Sequence, residues 1–324
     1  MIKKILKGVG LIVLVLLAII LIAGLLPVSV PDLVSSPNPA ADYEEAVAWF
    51  ETAVSAEENI LMSPESASVL MTHGEKTDKV YVLVHGWTNS PYQWSDFGQL
   101  LYDRGYNVLI MRMPYHGLAS HDAGELQYAT PELVRDYADN TVDIAAGLGD
   151  EVHVVGLSVG GEVSSWIAQN RADVTRVMPI APMFGIGKIP AFASHFLANA
   201  ATHLPNISVT SPGEAVRDHV YQGQSTKGVA NAVLFGRPLF EQAEGEKTAV
   251  SDIILVTNDN DTTVNNNLTN DLLNLWQEMG TSPETYIFAK ALGYPHDLID
   301  PSSHPDTTAV YAVLLDLLGE EPME

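Results

Sequence analysis

The sequence predicts an α/β protein: a mostly parallel β-sheet flanked by helices, with a small helical cap and an N-terminal transmembrane helix ahead of it. Three observations carry that reading. From residue 79 to residue 318, apolar runs rich in β-branched residues alternate with segments of helical spacing, as parallel strands joined by crossover helices do. One such run, residues 151–156, leads into Gly156-Leu157-Ser158-Val159-Gly160-Gly161 and then straight into a helical stretch. Near the N-terminus, residues 9–26 are eighteen residues without a charge, about the minimum to cross a bilayer as a helix.

Taken in order, Lys3, Lys4 and Lys7 precede the apolar run. Positive residues on that side favour a cytoplasmic N-terminus and a main domain outside, anchored by one helix. The rival is a signal peptide and a secreted product, but no clear A-x-A site follows the run. A buried core helix is disfavoured because the run is apolar on every face. Residues 31–39 are rich in proline and serine and read as a linker holding the domain slightly off the membrane. In residues 42–58, Tyr43, Ala46, Val47, Phe50 and Val54 are spaced as on an amphipathic helix. The expected organisation is therefore an anchor or signal peptide over 1–30, linker and helix over 31–64, and a catalytic domain over 65–319.

Residues 68–72 and 79–84, separated by Gly74 and its polar neighbours, read as a β-hairpin opening the sheet. Helices are expected at 92–103, 131–147, 161–170, 264–279 and 307–318, and strands at 107–111, 152–156, 174–180, 251–257 and 285–289. Residues 185–246 break the alternation. They hold helical stretches at 192–204 and 229–235 but no strand suited to the sheet. An insertion of roughly sixty residues is too long for an ordinary connection, and it is expected to form a cap.

Composition excludes several classes. Forty acidic residues against sixteen basic give a net charge of −24, a surface that repels phosphates, so no nucleic-acid partner is expected. Without cysteine, thiolate catalysis, disulfides and cysteine metal sites are ruled out.

The chemistry concentrates around Ser158. A serine on a sharp strand-to-helix turn needs small residues two positions away on either side, and Gly156 and Gly160 stand there. The helix beginning after it brings unpaired N–H groups to where an oxyanion develops. A serine nucleophile also needs a base and a carboxylate to orient that base. The strand 252–257 ends in Asn258-Asp259-Asn260-Asp261, at the sheet edge that carries the turn. Asp261 is preferred to Asp259. Calcium binding by this loop is disfavoured, because it lacks the glycine and distal glutamate of an EF-hand, and no metal is expected. His296 follows the strand 285–289 and completes the order Ser, Asp, His, with His304 as its rival. The oxyanion donors are expected to be the amides of Val159 and of Trp87, which Gly86 is able to aim inward. In and beside the cap, Met183, Phe184, Phe192 and Phe196 offer an apolar surface suited to an acyl chain.

With these residues in view, the chain resembles the α/β-hydrolase superfamily, and within it the bacterial carboxylesterases, monoacylglycerol lipases and lysophospholipase-like serine hydrolases. The resemblance rests on H-G-W-T-N-S-P at 85–91, M-P-Y-H-G at 113–117, G-L-S-V-G-G at 156–161, D-T-T-V at 261–264 and P-H-D-L at 295–298. It covers about residues 65–319. Trp87 stands where phenylalanine is commoner, and Tyr115 where the family usually has glycine; His116 reads as structural. The resemblance implies ester hydrolysis through an acyl-enzyme, without metal or cofactor, on a small-molecule or lipid ester. Two other readings stay open: a serine peptidase on the same fold, and a non-catalytic lipid-binding protein. A dehalogenase would put aspartate where Ser158 stands.

Overall fold

The chain begins with α1 (Ile2–Leu25) and α2 (Tyr43–Ser55), followed by β1 (Val69–Met71) and β2 (Thr77–Val84). Next come α3 (Ser95–Tyr102), β3 (Asn107–Ile110), α4 (Pro131–Leu148), β4 (Gly149–Leu157), α5 (Val159–Asn170) and β5 (Arg176–Ile180). The cap contains α6 (Ala191–His203), a short ribbon of β6 (Ser208–Val209) and β7 (Gln224–Ser225), and α7 (Thr226–Ala243). The chain then returns to the sheet through β8 (Asp252–Asn258), α8 (Asn266–Glu278), β9 (Glu284–Phe288) and α9 (Thr307–Leu318). This computed structural model describes residues 2–57, 59–187, 189–210, 217–304 and 306–321, and side chains from Leu6 onward. Lys188 and residues 211–216 of the expected cap, and the side chains of Lys3 and Lys4, lie outside the described residues.

The seven-stranded sheet has the order β1-β3-β2-β4-β5-β8-β9, with every pairing parallel except β1 on β3. The expected hairpin is thus corrected. β1 pairs antiparallel with β3, while β2 lies between β3 and β4 and runs parallel to both. The reason lies in β2 itself. Its last five residues, Val80-Tyr81-Val82-Leu83-Val84, are fully buried, and a strand apolar on both faces takes a central place. β1, three half-buried residues long, takes the edge.

Helix ends follow local chemistry. Asp42 caps α2 by accepting from the Glu45 amide at 2.9 Å, while Glu45 reaches back to the Ala41 amide at 2.7 Å. Pro131 opens α4 behind Thr130. Gly319 ends α9 at φ +74°.

The segment after α1 is docked rather than a free spacer. Buried Arg171 pairs with Asp139 at 3.0 Å and Asp143 at 2.6 Å. The other oxygens of those two carboxylates accept from the amides of Ser36 and Asn38, and the Trp166 indole donates to the Leu33 carbonyl at 2.9 Å. A buried cation needs anionic partners, and those partners need further donors; the linker backbone supplies them. α1 itself is long and apolar enough over residues 6–25 to cross a membrane, with a mean hydropathy of 3.1 and 11% of it buried. Signal sequences share that length and composition.

Candidate active site

Ser158 sits between β4 and α5 at φ 62°, ψ −119°, a left-handed backbone that a serine holds only when its surroundings enforce it. They do so by close approach. A Cβ at Gly156 would lie 2.1 Å from the Gly160 carbonyl oxygen, and one at Gly160 would lie 2.1 Å from that of Val84. No other residue fits, so the strand and helix are pressed together and the serine is pushed out at the turn. The Ser158 amide donates to Ile180 at 2.9 Å, and its carbonyl accepts from Glu162 and Met183.

At the neighbouring strand ends, β8 delivers Asp261 and the loop after β9 delivers His296. His296 Nδ1 donates to Asp261 Oδ2 at 2.5 Å. The other Asp261 oxygen accepts from the amides of Thr263 at 2.7 Å and Val264 at 3.4 Å. Burial opposes the carboxylate charge, but the bonds and charge of His296 and those two amides outweigh it and hold Asp261 below the usual carboxylate range. The rivals lie elsewhere: Asp259 is exposed, and His304 is buried against the Tyr294 ring at 4.6 Å.

Ser158 and His296 line one cavity of about 320 Å³, together with Gly86, Trp87 and Val159. Val159 opens α5, so its amide has no partner within the helix. Among the described residues neither it nor the Trp87 amide finds another backbone or side-chain acceptor. Buried N–H groups are rarely left unpaired, and two such donors beside one serine are free to take an oxygen acceptor. The cavity wall has a polar part, with Asn89, Gln93, Arg217, Asp297 and Ser303, and an apolar part, with Met183, Ile186, Val220, Val229 and Ala232.

Met183 is the one of the four expected acyl-contact residues that lines this cavity. Phe184 is buried against Phe240 at 5.2 Å, Phe192 is 78% exposed, and Phe196 packs on Gly24 of α1. An apolar residue reads alike whether it meets core, solvent or ligand, which is why these three look like Met183 in the sequence.

Other residues carry weight that the motifs only hinted at. Gln93 Oε1 accepts from the Gly86 amide at 2.7 Å, and its Nε2 donates to Asp297 at 3.0 Å. This links the turn at Gly86 to the loop of His296. Asp297 is half-buried, and the loss of solvent together with nearby Asp300 pushes its carboxyl up. Asp300 binds His219 at 2.8 Å and Arg217 at 3.4 Å, clamping the cap to the same loop. Despite its burial, the bonds from His219 and Ser302 hold the Asp300 carboxyl down to about 2.

The two histidines of the first motifs are structural. His85 Nδ1 donates to the Gly86 carbonyl, and its Nε2 accepts from the Met113 amide at 3.0 Å. His116 Nδ1 donates to Pro114 at 2.9 Å, and its ring packs edge-on to Trp87. Burial keeps both neutral, lowering His85 to about 4 and His116 well below its ordinary value. Tyr115 adopts φ +63°, the left-handed backbone that the family's usual glycine takes at no steric cost. Its carbonyl accepts from the Tyr221 hydroxyl of the cap at 2.9 Å, which helps hold the strained residue in place.

Comparison with known proteins fits this geometry. A thermostable monoacylglycerol lipase of Bacillus sp. (strain H-257) is 25% identical over 127 residues, which are 34% of this chain and 47% of that protein. The match thus spans about half the length of that relative. A structure from work on the metagenome-derived lipolytic enzymes LipS and LipT superposes with a TM-score of 0.56 at 17% identity, over 81% of this chain and 99% of the other. The monoacylglycerol lipase of Paleococcus ferrophilus gives 0.55 at 15% identity, over 78% and 98%. These two likenesses establish the fold. The model of the alpha/beta hydrolase family matches residues 81–310, well over half the chain and a stretch from within β2 into α9 that includes Ser158, Asp261 and His296, and the chain belongs to that family.

Proposed function

We propose that this chain is a serine hydrolase that cleaves carboxylic esters, of acyl-glycerol or similar lipid-like type, through an acyl-enzyme. The observation that carries the reading is His296, held by Asp261 at 2.5 Å and lining one cavity with a strained Ser158. With Nδ1 of His296 engaged by Asp261, Nε2 is the nitrogen left to act as base. It takes the Ser158 Oγ proton as Oγ bonds to the ester carbonyl carbon, and the carbonyl oxygen becomes an oxyanion bound by the Trp87 and Val159 amides. Collapse breaks the bond to the alcohol oxygen, which leaves with the proton from His296. A water molecule, deprotonated by His296, then attacks the acyl-serine; the carboxylic acid departs and Ser158 recovers its proton.

Substrate class is supported by the divided cavity wall, apolar for an acyl chain and polar for an alcohol, and by relatives named monoacylglycerol lipases. We place the catalytic domain outside the cytoplasm, anchored by α1, because lysines precede the apolar run.

The test is turnover of p-nitrophenyl esters of increasing acyl length by the full chain, with Ser158→Ala and His296→Ala beside it. Activity lost in both variants, with a preference for longer acyl groups, is the expected result. Inactivity of the parent on every ester, or full activity in Ser158→Ala, would overturn the reading.

A further inference from the structure

The apolar N-terminal helix does not leave the domain freely; its last turns dock on the cap. Ala23 is buried, and the Gly24 carbonyl accepts from Asn199 of α6 at 3.4 Å. A Cβ at Gly24 would come within 2.3 Å of the Phe196 ring, so this glycine lets the two helices meet, as small residues do at helix crossings.

About one turn earlier, Ile20 forms part of the wall of a second cavity, of about 340 Å³, between α1, α6 and α7. Ile186, Gln224 and Val229 line both this cavity and the one at Ser158, so a single layer of side chains separates them. Two of its lining residues, Ile207 and Val209, are also 60% and 59% exposed. The Ser158 cavity thus has a polar wall around Arg217 and Asp297, and on another side borders an apolar chamber with an apolar rim.

Depth suggests what that rim meets. The apolar stretch of residues 6–25 is about 30 Å long as a helix, the thickness of a bilayer's hydrocarbon core. Ile20 lies five residues from its end, about 8 Å inward at 1.5 Å per residue. A bilayer that takes up α1 therefore reaches the cavity wall, and the exposed Phe192, Ile207 and Val209 of the cap suit the boundary between headgroups and acyl chains.

We infer that the chamber between α1, α6 and α7 is a lateral portal, through which the acyl chain of a membrane-resident ester passes from the bilayer, past Ile186 and Val229, to Ser158. The inference deepens the ester-hydrolase reading and rests on it. Its advantage is physical: each methylene drawn through water is opposed by the hydrophobic effect, and a covered apolar route removes that opposition.

The experiment places the full chain in phosphatidylcholine vesicles with a hexadecyl fluorophosphonate carrying a diazirine at its terminal carbon. Ser158 Oγ bonds to phosphorus and fluoride leaves; irradiation then marks what the chain end touches. Crosslinks at residue 20, 197–209 or 225–233 are expected. Crosslinks confined to other segments, or reaction with a water-soluble short-chain fluorophosphonate but not the hexadecyl one, would overturn the portal alone. Failure of Ser158 to react with either probe would overturn the ester-hydrolase reading as well. In parallel, Ala201→Trp, which fills the chamber from α6, is expected to lower the ratio of long-chain to short-chain ester turnover about tenfold; an unchanged ratio would count against the portal.

Discussion

The floor of the Ser158 cavity and the cap above it are built under opposite constraints. In the floor, eleven residues of α5, from Val159 to Gln169, are buried, and an added methyl group at Gly156 or Gly160 would collide with backbone at 2.1 Å. In the cap, α6 buries only Ser194, Ala198 and Ala200, while Phe192 stands 78% exposed and both strands of the small ribbon have exposed positions. The floor permits one residue type at each critical position because backbone meets backbone there. α6 of the cap asks for little more than small or apolar residues on one face, and many sequences meet that demand. The difference teaches where rigidity and where adaptability reside: the backbone at Ser158 is fixed by packing, and the cavity is covered by a more open assembly.

Substitutions in the floor are the sharpest way to break this contrast. Ser158→Ala is expected to lower ester turnover by about four orders of magnitude or more, with Asp261→Asn close behind, measured as kcat/KM on a short ester. Next comes Gly160→Ala. Its new Cβ has backbone on its far side and nowhere to move, so denaturant unfolding is expected to show a loss of about 3 kcal/mol or more.

The pH dependence of stability tests the buried histidines under the floor. His85 titrates near 4 when folded, below its ordinary value of 6.5. Between those two values the unfolded chain takes up a proton that the folded chain refuses. Stability is therefore whole above pH 6.5 and declines as pH falls toward 4, by about 3 kcal/mol for this group. His116, also lowered, adds to the decline. Thermal melts across this range are expected to show it, with a shallower slope in His85→Gln; a parent melting point flat from pH 6.5 to 4 would contradict the assignment. The smallest effect belongs to the cap. Phe192→Ser is expected to change stability by no more than about 0.5 kcal/mol, since its ring packs on little.

The same contrast explains what was legible in the sequence. Alternation of apolar runs and helical spacing located the sheet, because parallel strands buried on both faces cannot be polar. The sharp turn at Ser158 and the pairing of Asp261 with His296 could be anticipated because each residue lies in a segment that follows a strand, in the order Ser, Asp, His. The place of β1 was not, since a short turn after Met71 suits a hairpin as well as a step over β3, and only the burial of β2 decides between them. Tyr115 hides its role because no residue but glycine advertises a left-handed backbone. Gln93 and Asp297 act through bonds between loops far apart in sequence, and no local pattern encodes such a pairing. Phe184, in the loop before α6, and Phe192 and Phe196 on that helix read as one apolar set and meet three different surroundings. The docking of residues 33–38 depends on buried Arg171 and Trp166, more than a hundred positions away.

The central claim is that Ser158 becomes acylated. Rapid mixing of the full chain with p-nitrophenyl acetate, followed by acid quench and peptide mass mapping, tests it most directly. The expected result is an early burst of nitrophenolate, with one acetyl group per chain found on Ser158 and none in Ser158→Ala. An acetyl group on another side chain, or steady hydrolysis by Ser158→Ala at the parent's rate, would contradict it.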